Sequence, residues 1–245
     1  MDGIIFGVSS AVLADENRYA KINGLIQDVV KEFHNEIPGS QISMMVPWRP
    51  DCSVTQCAAL QEISHHSDIL FVTSFDIPKY LNDCVAKPFS AYRDVFDGLS
   101  SYIRMGIDSR KILMAVPWFG QDFTCSHFHE AGFCELGHRS DNKTTCDKIS
   151  VSSITFKGIM QLLSKSITGR IWDDDLHNPY FVYLNGKTYH EVWYDDPESI
   201  SMKSTILKRL KLRGIGVWAA NFLNYGSNAW TLMQTEAMWN ALCPP

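Results

Sequence analysis

Four aromatic residues stand where extended apolar runs end. Trp48 follows Val46-Pro47, Phe75 follows Thr73-Ser74 and precedes Asp76, Trp118 follows Val116-Pro117, and Trp218 follows Gly216-Val217. Flat rings with carboxylates and amides nearby suit pyranose rings, which offer apolar faces for stacking and hydroxyls for hydrogen bonding. Any single ring has a simpler explanation as a large core residue. Four at successive run ends point to a carbohydrate ligand, because in a parallel β/α barrel such ends line the face where sites form.

The remaining chemistry-bearing residues speak to compartment. Seven cysteines contain no CxxC pair of the zinc-ribbon kind, and neither a metal nor a cofactor is expected. The cluster Cys125, Cys134 and Cys146 reads as the staples of a secretory loop, and an odd total leaves at least one cysteine unpaired within the chain. Asn142-Lys143-Thr144 is a glycosylation sequon. Against this, Met1 to Gly7 has no basic region and its apolar stretch is cut by Gly7, Ser9 and Ser10, so the chain as given shows no secretion signal. With 22 Lys+Arg against 27 Asp+Glu, basic residues are scattered except for Lys208, Arg209, Lys211 and Arg213, and no nucleic-acid partner is expected. The longest apolar runs, such as Ile69 to Val72 and Ile112 to Val116, fall far short of the roughly 20 residues that cross a bilayer, and no membrane partner is expected. Oligomeric state is not legible at this level.

These side chains need elements to hold them. Ile4 to Val8, Gln41 to Pro47, Ile69 to Phe75, Ile112 to Val116 and Gly214 to Trp218 read as buried strands, mostly apolar on both faces. Tyr19 to Phe33, Ala91 to Met105 and Met202 to Leu212 have helical spacing, the last basic toward its C-terminal end as the helix dipole favours. Alternation of this kind implies a parallel sheet with crossover connections. From Gln121 to Cys146 no helix or strand is expected. A short helix follows over Thr155 to Lys165, then Tyr180 to Leu184 and Thr188 to Tyr194 form a hairpin joined through Asn185-Gly186. The expected organisation is α/β, with 1–120 and 196–245 forming a partial barrel and 121–195 a small α+β subdomain.

With these segments in place, the sequence resembles glycoside hydrolase family 18, in its di-N-acetylchitobiase-like branch. The resemblance lies in Met1-Asp2-Gly3-Ile4, in Ser67 to Asp76, in "KILMAVPWFGQDFTC" from Lys111 to Cys125, in Val192 to Ile206, and in "LRGIGVWAANFLNY" from Leu212 to Tyr225. It implies a TIM-type (β/α)8 barrel, beginning here at the family's fourth strand and therefore truncated to strands 4–8, with the α+β insertion. It also implies a lysosomal or secretory location and an N-acetylglucosamine-containing oligosaccharide as ligand, from chitin or from the core of N-linked glycans. Trp218 matches the strand-8 tryptophan that floors the family's sugar site, and Asp76 matches its strand-6 carboxylate. Trp118, Tyr194, Asp195 and Asn221 fall in matching segments and are further candidates for binding the sugar.

The family's strand-4 signature is Asp-Gly-x-Asp/Asn-x-Asp-x-Glu. Its Glu protonates the leaving oxygen while the substrate's own N-acetyl group attacks the anomeric carbon, steered by the neighbouring Asp and a strand-6 Tyr. Read onto it without a gap, Asp2 and Gly3 match, but Ile5 stands at the Asp/Asn position, Gly7 replaces the steering Asp, Ser9 replaces the acid, and Phe75 replaces the Tyr. No catalytic group of the family is intact. A serine hydroxyl cannot act as a carboxylic acid tuned near neutral pH, and general acid catalysis contributes ~10²–10⁴-fold. Asp15 and Glu16, the next acids, fall beyond the strand end. The leading expectation is a catalytically impaired chitobiase-like protein. The alternatives are an active glycosidase with a substitute acid, and a non-enzymatic fragment or sugar-binding pseudoenzyme. Once the insertion is set aside, the length is too short for eight strand–helix units of about 30 residues each, and Met1 is expected to be an internal position of a longer chain.

Overall fold

Apolar runs that must bury both faces, alternating with helices that must bury one, leave few arrangements open. A computed structural model, which describes residues 3–7, 15–50, 54–75, 77, 83–129, 132–137, 146–147 and 149–243, has the parallel one. Strands β1 (Gly3–Gly7), β2 (Gln41–Val46), β3 (Ile69–Thr73), β4 (Ile112–Pro117) and β12 (Gly214–Trp218) form a five-stranded sheet in the order β1-β2-β3-β4-β12. Parallel registers run unbroken from Gly3 opposite Gln41, through Ser43 opposite Ile69, to Leu70 opposite Ile112. Helices α1 (Glu16–Glu36), α2 (Val54–His66), α3 (Tyr92–Arg104) and α5 (Pro197–Leu210) lie between the strands in the chain, and α6 (Ala229–Asn240) follows the last. Parallel neighbours separated by helices are the repeating unit of a (β/α) barrel.

The central strands bury the residues expected, with Ile42, Met44, Leu70, Val72, Ile112 and Met114 all fully enclosed. The outer two depart from expectation. Ile5 is 48% exposed, and β12 is half-buried along most of its length, because these strands form the margins of the sheet and pair on one side only among the described residues.

A second, antiparallel sheet has the order β8-β5-β11-β10-β9, from β8 (Val151–Thr155), β5 (Phe119–Thr124), β11 (Thr188–Tyr194), β10 (Asn178–Asn185) and β9 (Ile171–Asp173). The hairpin is present with its turn shifted by one residue. Asn185 pairs with Thr188, so Gly186-Lys187 makes the loop, and Gly186 takes φ +63 as the first residue of a two-residue turn requires. The expectation of no strand between Gln121 and Cys146 is corrected. β5 enters that stretch, and β6 (His127–Phe128) pairs with β7 (Cys134–Glu135) inside it. The partners of β5 lie far along the chain, Thr124 opposite His190 and Phe123 opposite Val151, so local pattern carries no trace of the pairing. Gly120 permits the close approach, since a Cβ there would stand 2.7 Å from the Trp193 carbonyl oxygen. Helix α4 (Phe156–Leu163) starts where Thr155 accepts a hydrogen bond from the Gly158 amide.

Two disulfides join Cys84 to Cys146 and Cys125 to Cys134, Cys57 is also oxidised, and Cys243 is free and exposed. The chain divides into two compact units, one of residues 1–74, 95–115 and 205–216, the other of 75–94, 116–204 and 217–245. The antiparallel sheet falls within the second unit, which takes in more of the chain than the stretch 121–195. Among the described residues no helix is long and apolar enough to cross a membrane.

Candidate active site

Gly7 closes β1 in the first unit, exposed and with nothing within 4 Å of the place a Cβ would occupy. It brings neither acid nor hydrogen bond. Ser9, Asp76 and the sequon asparagine Asn142 lie outside the described residues. Asp15 caps α1, accepting the Arg18 amide at 3.0 Å with the Arg18 guanidinium 3.3 Å away, so its carboxylate serves the helix start.

In the second unit, Phe75 is 4% exposed and meets Phe119 edge-on at 5.5 Å. Phe119 in turn packs on Phe89 at 5.1 Å and Phe222 at 6.3 Å. The position where the family resemblance implies a phenolic hydroxyl is thus filled by a ring in an aromatic cluster. Trp218 ends β12 with its ring 43% exposed, and the peptide joining it to Ala219 is cis. The Trp118 amide donates to the Trp218 carbonyl at 2.8 Å, and the Trp118 carbonyl accepts from Phe156 at 3.0 Å. The two tryptophans are therefore fixed through main chain. Asn221 sits exposed in the 3₁₀ turn Ala220–Phe222.

Trp118 does not provide the stacking platform expected of it. Its ring is fully buried, edge-on to Trp239 at 4.7 Å, and its Nε1 proton has no partner among the described residues.

Tyr194 and Asp195 are drawn into the interior instead of presenting themselves to a ligand. Burial pushes the Tyr194 phenol well above its ordinary value, so it stays a neutral hydroxyl. Asp195 Oδ1 accepts from Lys203 Nζ, from Ser199 Oγ and, at 3.2 Å, from Asn178 Nδ2, while Oδ2 accepts from Ser90 Oγ at 2.6 Å. A carboxylate has about four acceptor sites, and protein donors engage four, so Asp195 holds structure together where a sugar contact was expected. Burial pushes Lys203 downward, opposed by the Asp195 charge. The next residue caps α5: Asp196 Oδ1 accepts the Ser199 amide at 3.0 Å, Pro197 takes the first helical position, and Arg170 binds Asp196 Oδ2 at 2.8 Å.

Sequence reasoning passed over Lys203, Ser90 and Asn178. The signal was there in part, since Asp-Pro-Glu-Ser at 196–199 announces a helix start and Lys203 lies one turn after Ser199. It also passed over Asp122, which accepts from the Tyr183 hydroxyl at 2.6 Å and lies 2.9 Å from His190 Nδ1, and Glu191, buried on β11. Burial pushes Glu191 up to about 8, against hydrogen bonds from the Trp193 indole and the Cys134 amide.

The Glycosyl hydrolases family 18 profile matches residues 10–222. Di-N-acetylchitobiase of Homo sapiens is 35% identical over all of this chain and that of Rattus norvegicus 34%, the chain spanning 64% and 67% of their lengths. A chitinase from Cycas revoluta, solved with (GlcNAc)3, superposes with a TM-score of 0.72 at 16% identity, covering 98% of this chain and 68% of that one, a likeness of fold alone. Since the profile runs from just past β1 to the turn after β12, and both chitobiases align along the whole length, the chain belongs to glycosyl hydrolase family 18, in its di-N-acetylchitobiase-like branch.

Proposed function

We propose that this chain is a chitobiase-like protein of N-acetylglucosamine oligosaccharides, from chitin or from the core of N-linked glycans, that keeps affinity for the sugar and has lost most of its hydrolytic power. The end of β1 carries this proposal. Where the family places its steering Asp, Gly7 contributes no atom beyond the backbone, and Ser9, where it places the acid, contributes only a hydroxyl. Phe75 likewise cannot hold the N-acetyl group by a hydroxyl. What remains for binding is the open Trp218 ring, with Asp76 and Asn221 as polar partners. Trp118 is reduced to its indole N–H, and Tyr194 and Asp195 become positioning residues. The paired cysteines support an oxidising lysosomal or secretory setting, where Asn142 would carry glycan. A substitute acid finds little support, because Asp15 is occupied at the start of α1.

The test is turnover of a fluorogenic chitobioside by the purified chain beside human di-N-acetylchitobiase. Turnover is expected to be lower by about 10² or more, while N,N′-diacetylchitobiose still binds and Trp218→Ala weakens that binding. Equal turnover rejects the proposal, and binding indifferent to Trp218 rejects the sugar site.

A further inference from the structure

Two helices of the second unit face each other with the same spacing. On α4 the residues Phe156, Lys157, Met160 and Gln161 lie on one side of the helix, and on α6 so do Trp230, Thr231, Gln234 and Thr235. Between them is a cavity of about 310 Å³. Of the lining residues Phe156 and Thr231 are buried, 4% and 6% exposed, and Trp230 is open at 62%. Around the rim, Lys157, Gln161 and Gln234 make no side-chain hydrogen bond or ion pair among the described residues, whereas Thr235 and Thr231 are tied to the carbonyls of Asn224 and Gly226 at 2.9 and 3.0 Å.

We infer that this groove binds a neutral pyranose, with one sugar face stacked on Trp230 and its hydroxyls taken by the amides of Gln161 and Gln234 and the Lys157 ammonium. Among the described residues of the lining Lys157 is the sole ionisable group, so an anionic ligand finds one counter-charge there and a cationic one none. A wholly apolar ligand would leave the amides unpaired. An open indole flanked by neutral donors and acceptors fits a ring that is apolar on its faces and polar at its rim. The volume lies at the small end of the roughly 300–1,000 Å³ typical of ligand sites, room for about one or two pyranose rings. Neither Trp218 nor Trp118 lines the groove, so this is a second place for sugar that goes beyond the proposed function.

Indole N–H resonances of the whole 15N-labelled chain test it. Those of Trp230 and Trp218 are assigned by their loss in Trp230→Phe and Trp218→Phe, and N,N′-diacetylchitobiose and cellobiose are titrated separately. A saturable shift of the Trp230 resonance with either disaccharide, weakened about threefold or more by Gln161→Ala, is the expected result. No saturable Trp230 shift with either sugar to about 10 mM, a binding energy of only ~2.7 kcal/mol, overturns the inference, as does a shift indifferent to both Gln161→Ala and Gln234→Ala. The Trp218 resonance reports the proposed active site separately, so failure of one does not pass for failure of the other. Because Trp230 is exposed and Gln161 is unpaired, neither substitution threatens the fold.

Discussion

Gly3 and Gly7 sit on the same short strand and differ in what a side chain would meet. A Cβ on Gly3 would stand 2.1 Å from the Gln41 carbonyl oxygen, a backbone atom that cannot swing aside, whereas a Cβ on Gly7 meets nothing within 4 Å. Gly3→Ala is expected to cost at least ~2 kcal/mol, and Gly7→Asp less than ~0.5 kcal/mol, compared by urea midpoints. Space at Gly7 therefore admits a side chain, where at Gly3 it does not. Asp195 makes the opposite case. It and Lys203 are buried at 1% and 0% exposure, and removing one partner of such a pair strands a charge in the interior. Lys203→Met and Asp195→Ala should each lose ~3–5 kcal/mol, and the double replacement less than the sum of the two. Additive losses in a double-mutant cycle would show that the pair is not coupled. Any drop in sugar binding by an Asp195 variant has to be read against that instability.

At the scale of elements, β11 carries a titration that bears on pH. Burial holds Glu191 up at about 8 against an ordinary 4.5, so between those values the folded chain keeps a proton that the unfolded chain has released. Folding stability should then fall as pH rises through this window, by up to ~1.4 kcal/mol per pH unit. It levels off below about 4.5, where both states are protonated, and above about 8, where both are ionised. Glu191→Gln, which keeps an acceptor for the Trp193 indole, should flatten the slope, and an unchanged slope in thermal melts across this range would discount Glu191. The elements differ in how far sequence gives them away. β2, β3 and β4 are legible because a strand buried on both faces must be a short apolar run. α6 is not, because Trp230, Leu232, Met233 and Trp239 are exposed while Thr231 and Met238 are buried, and no apolar stripe marks the helix. β5 is hidden because its pairing partners are distant. In the candidate site, the ring at Trp218 could be read from its place after an apolar run, whereas the burial of Trp118 against Trp239 and the approach of Ser90 to Asp195 join residues that only the fold brings near.

At the scale of the molecule, two sheets of different grain share the chain: a parallel one that begins the first unit and an antiparallel one within the second. Four cysteines of the second unit are spent on two bridges of very different reach, Cys125–Cys134 spanning 9 positions and Cys84–Cys146 spanning 62. Closing the longer loop restricts the unfolded chain more, worth roughly 4 kcal/mol in the chain-entropy picture. The longer bridge also acts as a clasp against nicking. A protease that cuts once anywhere between Cys84 and Cys146 leaves two fragments that remain one covalent molecule, migrating together without reductant and parting once dithiothreitol is added. Fragments that separate on a non-reducing gel would show that the bridge had not formed. In a compartment rich in proteases, such a chain can be cleaved in that stretch and still arrive as a single particle.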